Sequence, residues 1–359
     1  MTPPPLNALL ISDGKPGHYH QAEGVVAALA RLRPVSTTRL AVQRRLLVPT
    51  RTLLQLTNAG VAAARLLRFG YGIRASELPP ADIVVSAGGE TLAANAAAAK
   101  VLGAANIFCG RLRRLAPEHV GLVLVTLDSL ALAPNYLVCL PPSPMDVAGA
   151  VAAARGARRF GRDAPPARVG LLIGGGSGAY RYREGDWLAL TRFLREARGK
   201  YGVRFLATTS RRSPTGVGDS LAAMAAEPGG PLETFIDFRT AGPGTLERIL
   251  AAADAVICTD DSTTMIAEAV GACMPLVAVT PQSSRLEPRE AEFRKHLATH
   301  GWYRQLPIAS LTAESLLAAL EEITPRTTSA RDELASAIAA RLPAIAFGTG
   351  RDVVPPERS

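Results

Sequence analysis

Cysteine is scarce in this chain: Cys109, Cys139, Cys258 and Cys273 are its only four. They are scattered, without the paired spacing of a metal finger or the density of a disulfide scaffold, which excludes both classes. They read as buried thiols of a reducing compartment. Aromatic residues make up only 5% of the chain, and no aromatic-studded basic stretch occurs, so a nucleic-acid partner is not expected. Long apolar runs are missing as well. The longest, such as Val120–Leu127, fall far short of the roughly 20 residues that span a bilayer. The opening Met1-Thr2-Pro3-Pro4-Pro5 has neither the basic nor the apolar region of a secretory signal. A cytoplasmic location is expected.

What is present is globular. The 359 residues are 48% hydrophobic and 20% charged, enough for two domains of ordinary size. The formal net charge is +9, and Arg31, Arg33, Arg39, Arg44, Arg45, Arg51, Arg65 and Arg68 crowd the N-terminal part. Such a surface attracts acidic phospholipid or a phosphorylated substrate. The plain alternative is solvated arginine with no partner.

Strand-like and helix-like segments alternate, as in parallel βαβ units. The first half reads as strand Asn7–Ser12, helix Tyr19–Leu32, strand Ser36–Val42 and one helical region Thr50–Arg68. Strand Asp82–Ala87, helix Glu90–Leu102 and short strands to Cys139 follow. Pro141–Pro166 is rich in Pro, Gly, Ala and Arg and reads as a connection with a short helix at Val147–Arg155. The alternation then restarts, with strands Arg168–Ile173, Val203–Thr208, Glu233–Ile236, Ala255–Thr259 and Leu276–Val279. The expectation is an α/β fold of two doubly wound, Rossmann-like domains facing a cleft: residues 1–145, a linker over 146–166, and residues 167–325. A terminal helix and tail over 326–359 crosses back onto the first domain. In open α/β sheets ligands bind beyond the carboxyl ends of the strands, so the strand-end loops are the places to look for chemistry.

Four such loops stand out. Ser12-Asp13-Gly14-Lys15-Pro16-Gly17-His18 follows the first strand. Gly14 and Gly17 suit tight backbone geometry, and Lys15 suits a phosphate. His18 is a candidate general base, with Asp13 either a competing base or the group that orients the imidazole. Gly174-Gly175-Gly176-Ser177-Gly178 opens the second half, where missing side chains allow a phosphate or another backbone to come close. Thr209-Ser210-Arg211-Arg212-Ser213-Pro214 places hydroxyls beside two guanidinium groups, a plausible anion clamp. Thr259-Asp260-Asp261-Ser262-Thr263-Thr264 ends a strand and starts a helix. Asp261 or Ser262 is its natural N-cap, and Ser262, Thr263 and Thr264 offer hydroxyls and N–H groups to a diphosphate. Glu268, two turns in, suits a ribose diol because a carboxylate only accepts. Ordinary capping is the plain alternative for Asp260 and Asp261.

The strings Ile-Ser-Asp-Gly-Lys-Pro-Gly-His (11–18), Ile-Gly-Gly-Gly-Ser-Gly (173–178), Thr-Ser-Arg-Arg-Ser-Pro (209–214) and Thr-Asp-Asp-Ser-Thr-Thr-Met-Ile-Ala-Glu-Ala (259–269) resemble the ELM family, labelled "mitochondrial fission". The resemblance spans nearly the whole chain in motif order. Relatives more often carry Glu-Asp-Ser and Asn-Met at 260–262 and 264–265. The pattern is also similar to GT-B glycosyltransferases, particularly the enzyme that adds N-acetylglucosamine to the lipid-linked peptidoglycan precursor. His18, Gly175-Gly176-Ser177 with Ala179, and Glu268 through Pro275 match its motifs in kind and order, although Gly271 lies earlier than that pattern has it.

That resemblance implies a nucleotide-sugar donor held by the C-terminal domain and a saccharide or glycolipid acceptor, such as a lipopolysaccharide core, held by the N-terminal one. Gly175, Gly176, Ser177, Ser210, Arg211, Arg212, Asp261, Ser262, Thr263, Thr264 and Glu268 are the expected donor contacts. His18 or Asp13 is the expected catalytic group, with Gly14, Lys15 and Gly17 as an acceptor or phosphate loop. No metal and no cofactor are expected, and peripheral contact with an anionic inner-membrane surface fits the arginine-rich N-terminal part. Two other readings stay open. One is a non-catalytic adaptor in envelope or organelle morphology. The other is a hydrolysing-type nucleotide-sugar epimerase using Asp13, His18 and Glu90.

Overall fold

The structure, a computed structural model, describes residues 4–145, 149–242 and 244–347. Met1-Thr2-Pro3, the expected helix start at Val147 and residues 348–359 of the expected tail lie outside them. The chain divides into two compact units. One runs to Pro144 and resumes at Ala330; the other is Met145–Ser329.

In the first unit the order is β1 (Leu6–Ser12), α1 (Pro16–Leu29), β2 (Val35–Ala41), α2 (Thr50–Asn58) and α3 (Ala63–Tyr71). Then come β3 (Ile83–Ala87), α4 (Leu92–Leu102), β4 (Ala105–Cys109), β5 (Leu122–Val125) and β6 (Tyr136–Val138). The expected single helix over Thr50–Arg68 is two. Gly60, at φ 77, takes a left-handed conformation where α2 ends, and the chain turns there. All strands are parallel, in the order β2-β1-β3-β4-β5-β6. The period of two along β1 sorts its side chains cleanly. Leu9 and Ile11 join the core under α2, α3 and α4, whereas Leu6, Ala8 and Leu10 join the one under α1.

The second unit contains α5 (Gly149–Ala157), β7 (Arg168–Ile173), β8 (Tyr180–Arg181), α6 (Glu184–Tyr201), β9 (Arg204–Thr209), α7 (Thr215–Ala225) and β10 (Leu232–Ile236). It continues with α8 (Phe238–Ala241), α9 (Thr245–Ala252), β11 (Ala255–Thr259), α10 (Thr263–Gly271) and β12 (Leu276–Thr280). β13 (Ser283–Ser284), α11 (Pro288–Thr299), β14 (Tyr303–Pro307) and α12 (Ala313–Glu321) complete it. Its main sheet is also parallel, in the order β10-β9-β7-β11-β12-β14. β14 was not expected. It carries Arg304 and Gln305 and ends at Pro307, a composition that the sheet edge tolerates and that gives no strand signal.

Most of the stretch expected to be a linker packs as part of the second unit. Ala152 on α5 is fully buried, and Arg155 donates to the carbonyls of Leu250 and Ala272 at 2.6 and 3.1 Å. Arg158 pairs with Asp254 at 2.6 Å. The alanine-rich α13 (Ala330–Arg341) belongs to the first unit, followed by α14 (Pro343–Phe347). Leu334, Ala335 and Ile338 enter the core that holds Ala22, Val25 and Leu29 of α1.

Both sheets have a strand pair from which the connections wind in opposite directions. In the second unit that pair is β7 and β11; in the first it is β1 and β3. The crevice beyond the carboxyl ends of such a pair is where open α/β sheets bind ligands.

Candidate active site

In the second unit three loops meet beyond the ends of β7, β9 and β11. The Gly174 N–H donates to Thr259 Oγ1 at 2.6 Å, and the Gly176 N–H donates to Asp261 Oδ2 at 3.0 Å. Ser213 Oγ donates to the carbonyls of Ile173 and Gly174 at 2.8 and 2.9 Å, and Ser210 Oγ also donates to Gly174. A Cβ on Gly174 would strike the Asp261 carboxylate, and one on Gly175 the backbone of Arg212 and Ser213. The first two glycines therefore admit neighbouring protein. At 178 there is open space instead.

These contacts give several of the expected donor residues protein partners of their own. Asp261 was expected to touch a donor; its side chain is buried, holds the Gly176 N–H and pairs with Arg212 Nη2 at 3.0 Å. Ser210 braces the Gly-rich loop through its hydroxyl. Arg212 is tied to Asp261 and, at 3.4 Å, to the Gly176 carbonyl. Arg211, beside it, is exposed and makes no ion pair among the described residues. Ser177 sits in a turn closed by its carbonyl and the Tyr180 N–H at 2.7 Å.

Ser262 is the N-cap of α10, as its position suggested, but its side chain makes no capping hydrogen bond. The N–H groups of Thr263, Thr264 and Met265 precede the first intrahelical bond, which runs from Ile266 to the Ser262 carbonyl at 3.1 Å. An uncapped helix start concentrates positive potential at these donors. Thr264 is exposed and Thr263 half-buried, while Glu268 is buried in the second turn.

Beneath this helix start lies a polar network that the sequence reading missed. Asp260 is completely buried. Its Oδ1 accepts from Arg294 Nε at 2.8 Å and Tyr303 OH at 2.6 Å. Its Oδ2 accepts from Tyr180 OH at 2.8 Å and Gln305 Nε2 at 2.7 Å. Arg294, equally buried on α11, also donates to the Asp260 carbonyl and to Thr263 Oγ1, at 2.7 and 3.2 Å. Thr263 is the first residue of α10, so this guanidinium touches the helix start directly. Burial alone would lower the arginine's pKa, but Asp260 beside it leaves the value raised. Burial, followed by the nearby carboxylates, pushes Tyr180, Tyr182 and Tyr303 above the ordinary tyrosine range.

In the first unit the loop after β1 also has an internal order. Gly14 takes a left-handed φ of 77, and Asp13 Oδ1 accepts the Lys15 N–H at 3.2 Å. Gly17, expected to be a geometric requirement, lies in the first turn of α1 in open space with an ordinary φ. Asp13, nearly inaccessible, places Oδ2 2.9 Å from His18 Nδ1. A carboxylate there holds the proton on Nδ1 and leaves Nε2 as the acceptor. Lys15 lies 3.7 Å from Asp13 and 3.3 Å from Glu90, so its ammonium is shared between two carboxylates instead of standing free for a phosphate.

Gly88, after β3, completes the arrangement. It has φ 86, and a Cβ there would overlap the His18 ring at Nδ1. Gly89 likewise underlies the guanidinium of Arg113, itself at a left-handed φ of 55. The signal was the Gly-Gly pair directly after a buried strand. Among the described residues, no cluster of three or more His, Cys, Asp or Glu side chains is placed to hold a metal ion.

Two Rossmann-like units, each with ordered loops at its own switch point, define a protein of the GT-B fold class. The chain belongs to the mitochondrial fission ELM1 family, whose sequence model matches residues 16–342. In fold it is similar to MurG from Acinetobacter baumannii, at a TM-score of 0.52 and 15% identity over 94% of this chain and 100% of that one. It is similar as well to UDP-GlcNAc 2-epimerase from Methanocaldococcus jannaschii, at 0.54 and 11% over 93% and 98%. At these identities the likeness concerns the fold. A comparison with curated proteins gives no match. No helix among the described residues is long and apolar enough to cross a membrane.

The network makes a stability prediction. Asp260→Ala strands the buried Arg294 and lowers unfolding free energy by about 3–5 kcal/mol, read by urea titration. A loss below about 1 kcal/mol would show the pair to be dispensable. The raised tyrosine pKa values set a direction with pH. Unfolded tyrosines ionise near 10 while the folded ones stay protonated, so stability is retained below about pH 10 and falls above it. A denaturation midpoint that does not decline in that alkaline range would contradict the burial of these phenols.

Proposed function

We propose that this protein is a metal-independent GT-B glycosyltransferase, moving a sugar from a nucleotide-sugar donor to a saccharide or glycolipid acceptor. One observation carries the reading: the uncapped start of α10 at the β7–β11 switch point, with Arg294 beneath it and Arg211 beside the adjoining loops. In this reading the diphosphate is held by the N–H groups of Thr263 and Thr264, the hydroxyl of Ser262 and the Arg211 guanidinium. Glu268 takes the ribose hydroxyls, and Ser177 lies at the mouth of the Gly-rich loop. Fixed donors of this kind stabilise charge as it develops on a departing diphosphate, which makes them the main catalytic contribution.

His18 acts as the base toward the acceptor hydroxyl through Nε2, with Asp13 orienting the ring through Nδ1. Gly88 is its seat. The four free thiols support a reducing, cytoplasmic setting. A second reading, the hydrolysing epimerase, draws on the same unit's cluster of Asp13, Lys15, His18 and Glu90, which supplies both acidic and basic groups. The two differ in whether donor turnover requires an acceptor.

The test begins with thermal shift of the full chain against nucleoside diphosphates and nucleotide sugars. A ligand at 100 times its Kd adds about 2.7 kcal/mol to the native state. At least one nucleotide should raise the melting temperature, and Arg211→Ala should weaken it about tenfold. A flat screen of folded protein would instead favour the non-catalytic adaptor. Once turnover is measured, His18→Ala is expected to lower kcat by about 10²–10⁴-fold with nucleotide affinity unchanged. Gly88→Ala should reproduce that loss by displacing the ring. Full activity in either variant would remove the imidazole from the reaction.

A further inference from the structure

One surface feature of the first unit serves neither its core nor its switch-point loops. Arg45 to Val48 is a tight turn, closed by the Val48 N–H on the Arg45 carbonyl at 3.0 Å. Its two central residues are Leu46 and Leu47, which are 94% and 95% exposed. Exposed turn centres ordinarily carry Gly, Asn, Asp, Ser or Pro. Two adjacent leucines there contribute nothing to folding.

The turn is also held firmly. Val42 and Val48 on either side are buried, so both stems are anchored in the core. Arg44 donates from Nη1 to the carbonyls of Arg45 and Val48, at 3.2 and 2.6 Å, and so wraps the turn from within. The Arg45 N–H donates to the Gly70 carbonyl at 2.9 Å, and its guanidinium lies against Gly72 at the end of α3. That contact brings the turn beside Arg68 and Phe69, both exposed, the phenylalanine at 53%.

The charge around it is of one sign. Residues 24–76 contain nine arginines and no aspartate or glutamate. Those nine equal the formal net charge of +9 for the whole chain. Among the described residues Arg45, Arg51, Arg65 and Arg68 make no ion pair, although all four are exposed.

We propose that the Leu46–Leu47 turn is a membrane-docking element, inserting its two side chains into the interfacial region of a bilayer whose anionic headgroups are met by the surrounding arginines. Apolar side chains in the interface combined with basic residues at the headgroup level is the pairing that gives reversible peripheral binding. A soluble protein partner of this site would need scattered acidic groups around a pocket for leucine. A bilayer supplies both the apolar layer and a continuous field of negative charge, which suits a 53-residue stretch with no acidic side chain. The proposal rests on this surface alone and does not depend on the transferase reading.

The experiment is co-sedimentation of the full chain with vesicles of phosphatidylcholine alone or mixed with phosphatidylglycerol, at low and high salt. Wild type should bind the anionic vesicles, bind the neutral ones far more weakly, and be released by salt. Leu46→Ser/Leu47→Ser should lower partitioning by about tenfold or more without changing the melting temperature, because neither side chain is packed. A Leu47→Trp variant should show a blue shift of its fluorescence on adding anionic vesicles. Absence of wild-type binding would overturn the proposal. Binding that the double serine variant retains would assign it to charge alone and overturn insertion. Self-association in solution that depends on the two leucines, without vesicle binding, would assign the turn to a second copy of the chain.

Discussion

The buried carboxylate of Asp260 is the contact on which the second unit's site depends. It directly follows β11, in the turn that leads into α10. Asp260 points into the protein and gathers donors from β8, α11 and β14. Asp261, also buried, holds the Gly-rich loop and Arg212. One strand end thus fixes both the floor and one wall around the start of α10. Arg294 completes the arrangement: it neutralises Asp260 and reaches Thr263 with the same guanidinium. A buried ion pair of this kind gains little over an apolar replacement, yet removing either partner is costly. Its value lies in fixing where the helix begins.

The first unit solves the same placement with a different chemistry. Its switch point is furnished by an imidazole held by a carboxylate, seated where Gly88 alone leaves room. Carboxylate–guanidinium pairs order one strand-end cluster, while a carboxylate–imidazole pair orders the other. The family's label speaks of organelle shape, and the arrangement of these residues adds a chemical reading to it.

Much of the architecture was legible because parallel strands buried on both faces read as continuous apolar runs. Arg168–Ile173 and Ala255–Thr259 came out with the same bounds. β14 was not legible, since its Arg304 and Gln305 answer to an edge position and to Asp260 instead of to any periodicity. Nor was α5 as part of the second unit, because a Pro- and Gly-rich stretch looks like a tether until Arg155 finds its carbonyls. The loops of the site were found by their glycines, but the reason for those glycines was only half visible. Gly174 and Gly175 make room for Asp261 and for the Arg212–Ser213 backbone. Arg294 left no signal at all. In a helix of Glu, Arg, Lys and His it looks like one more surface charge, and only the tertiary fold buries it.

Nucleotide binding at the start of α10 is the claim on which the transferase reading rests. Hydrogen–deuterium exchange of the full chain, with and without the nucleoside diphosphate that stabilises it most, tests that claim directly because exchange reports which backbone amides a ligand protects. Slowed exchange is expected in residues 174–178, 210–213 and 260–268, with the first unit's 86–90 and 111–114 unchanged. Protection confined to the first unit's loops, leaving α10 exchanging as before, would contradict it.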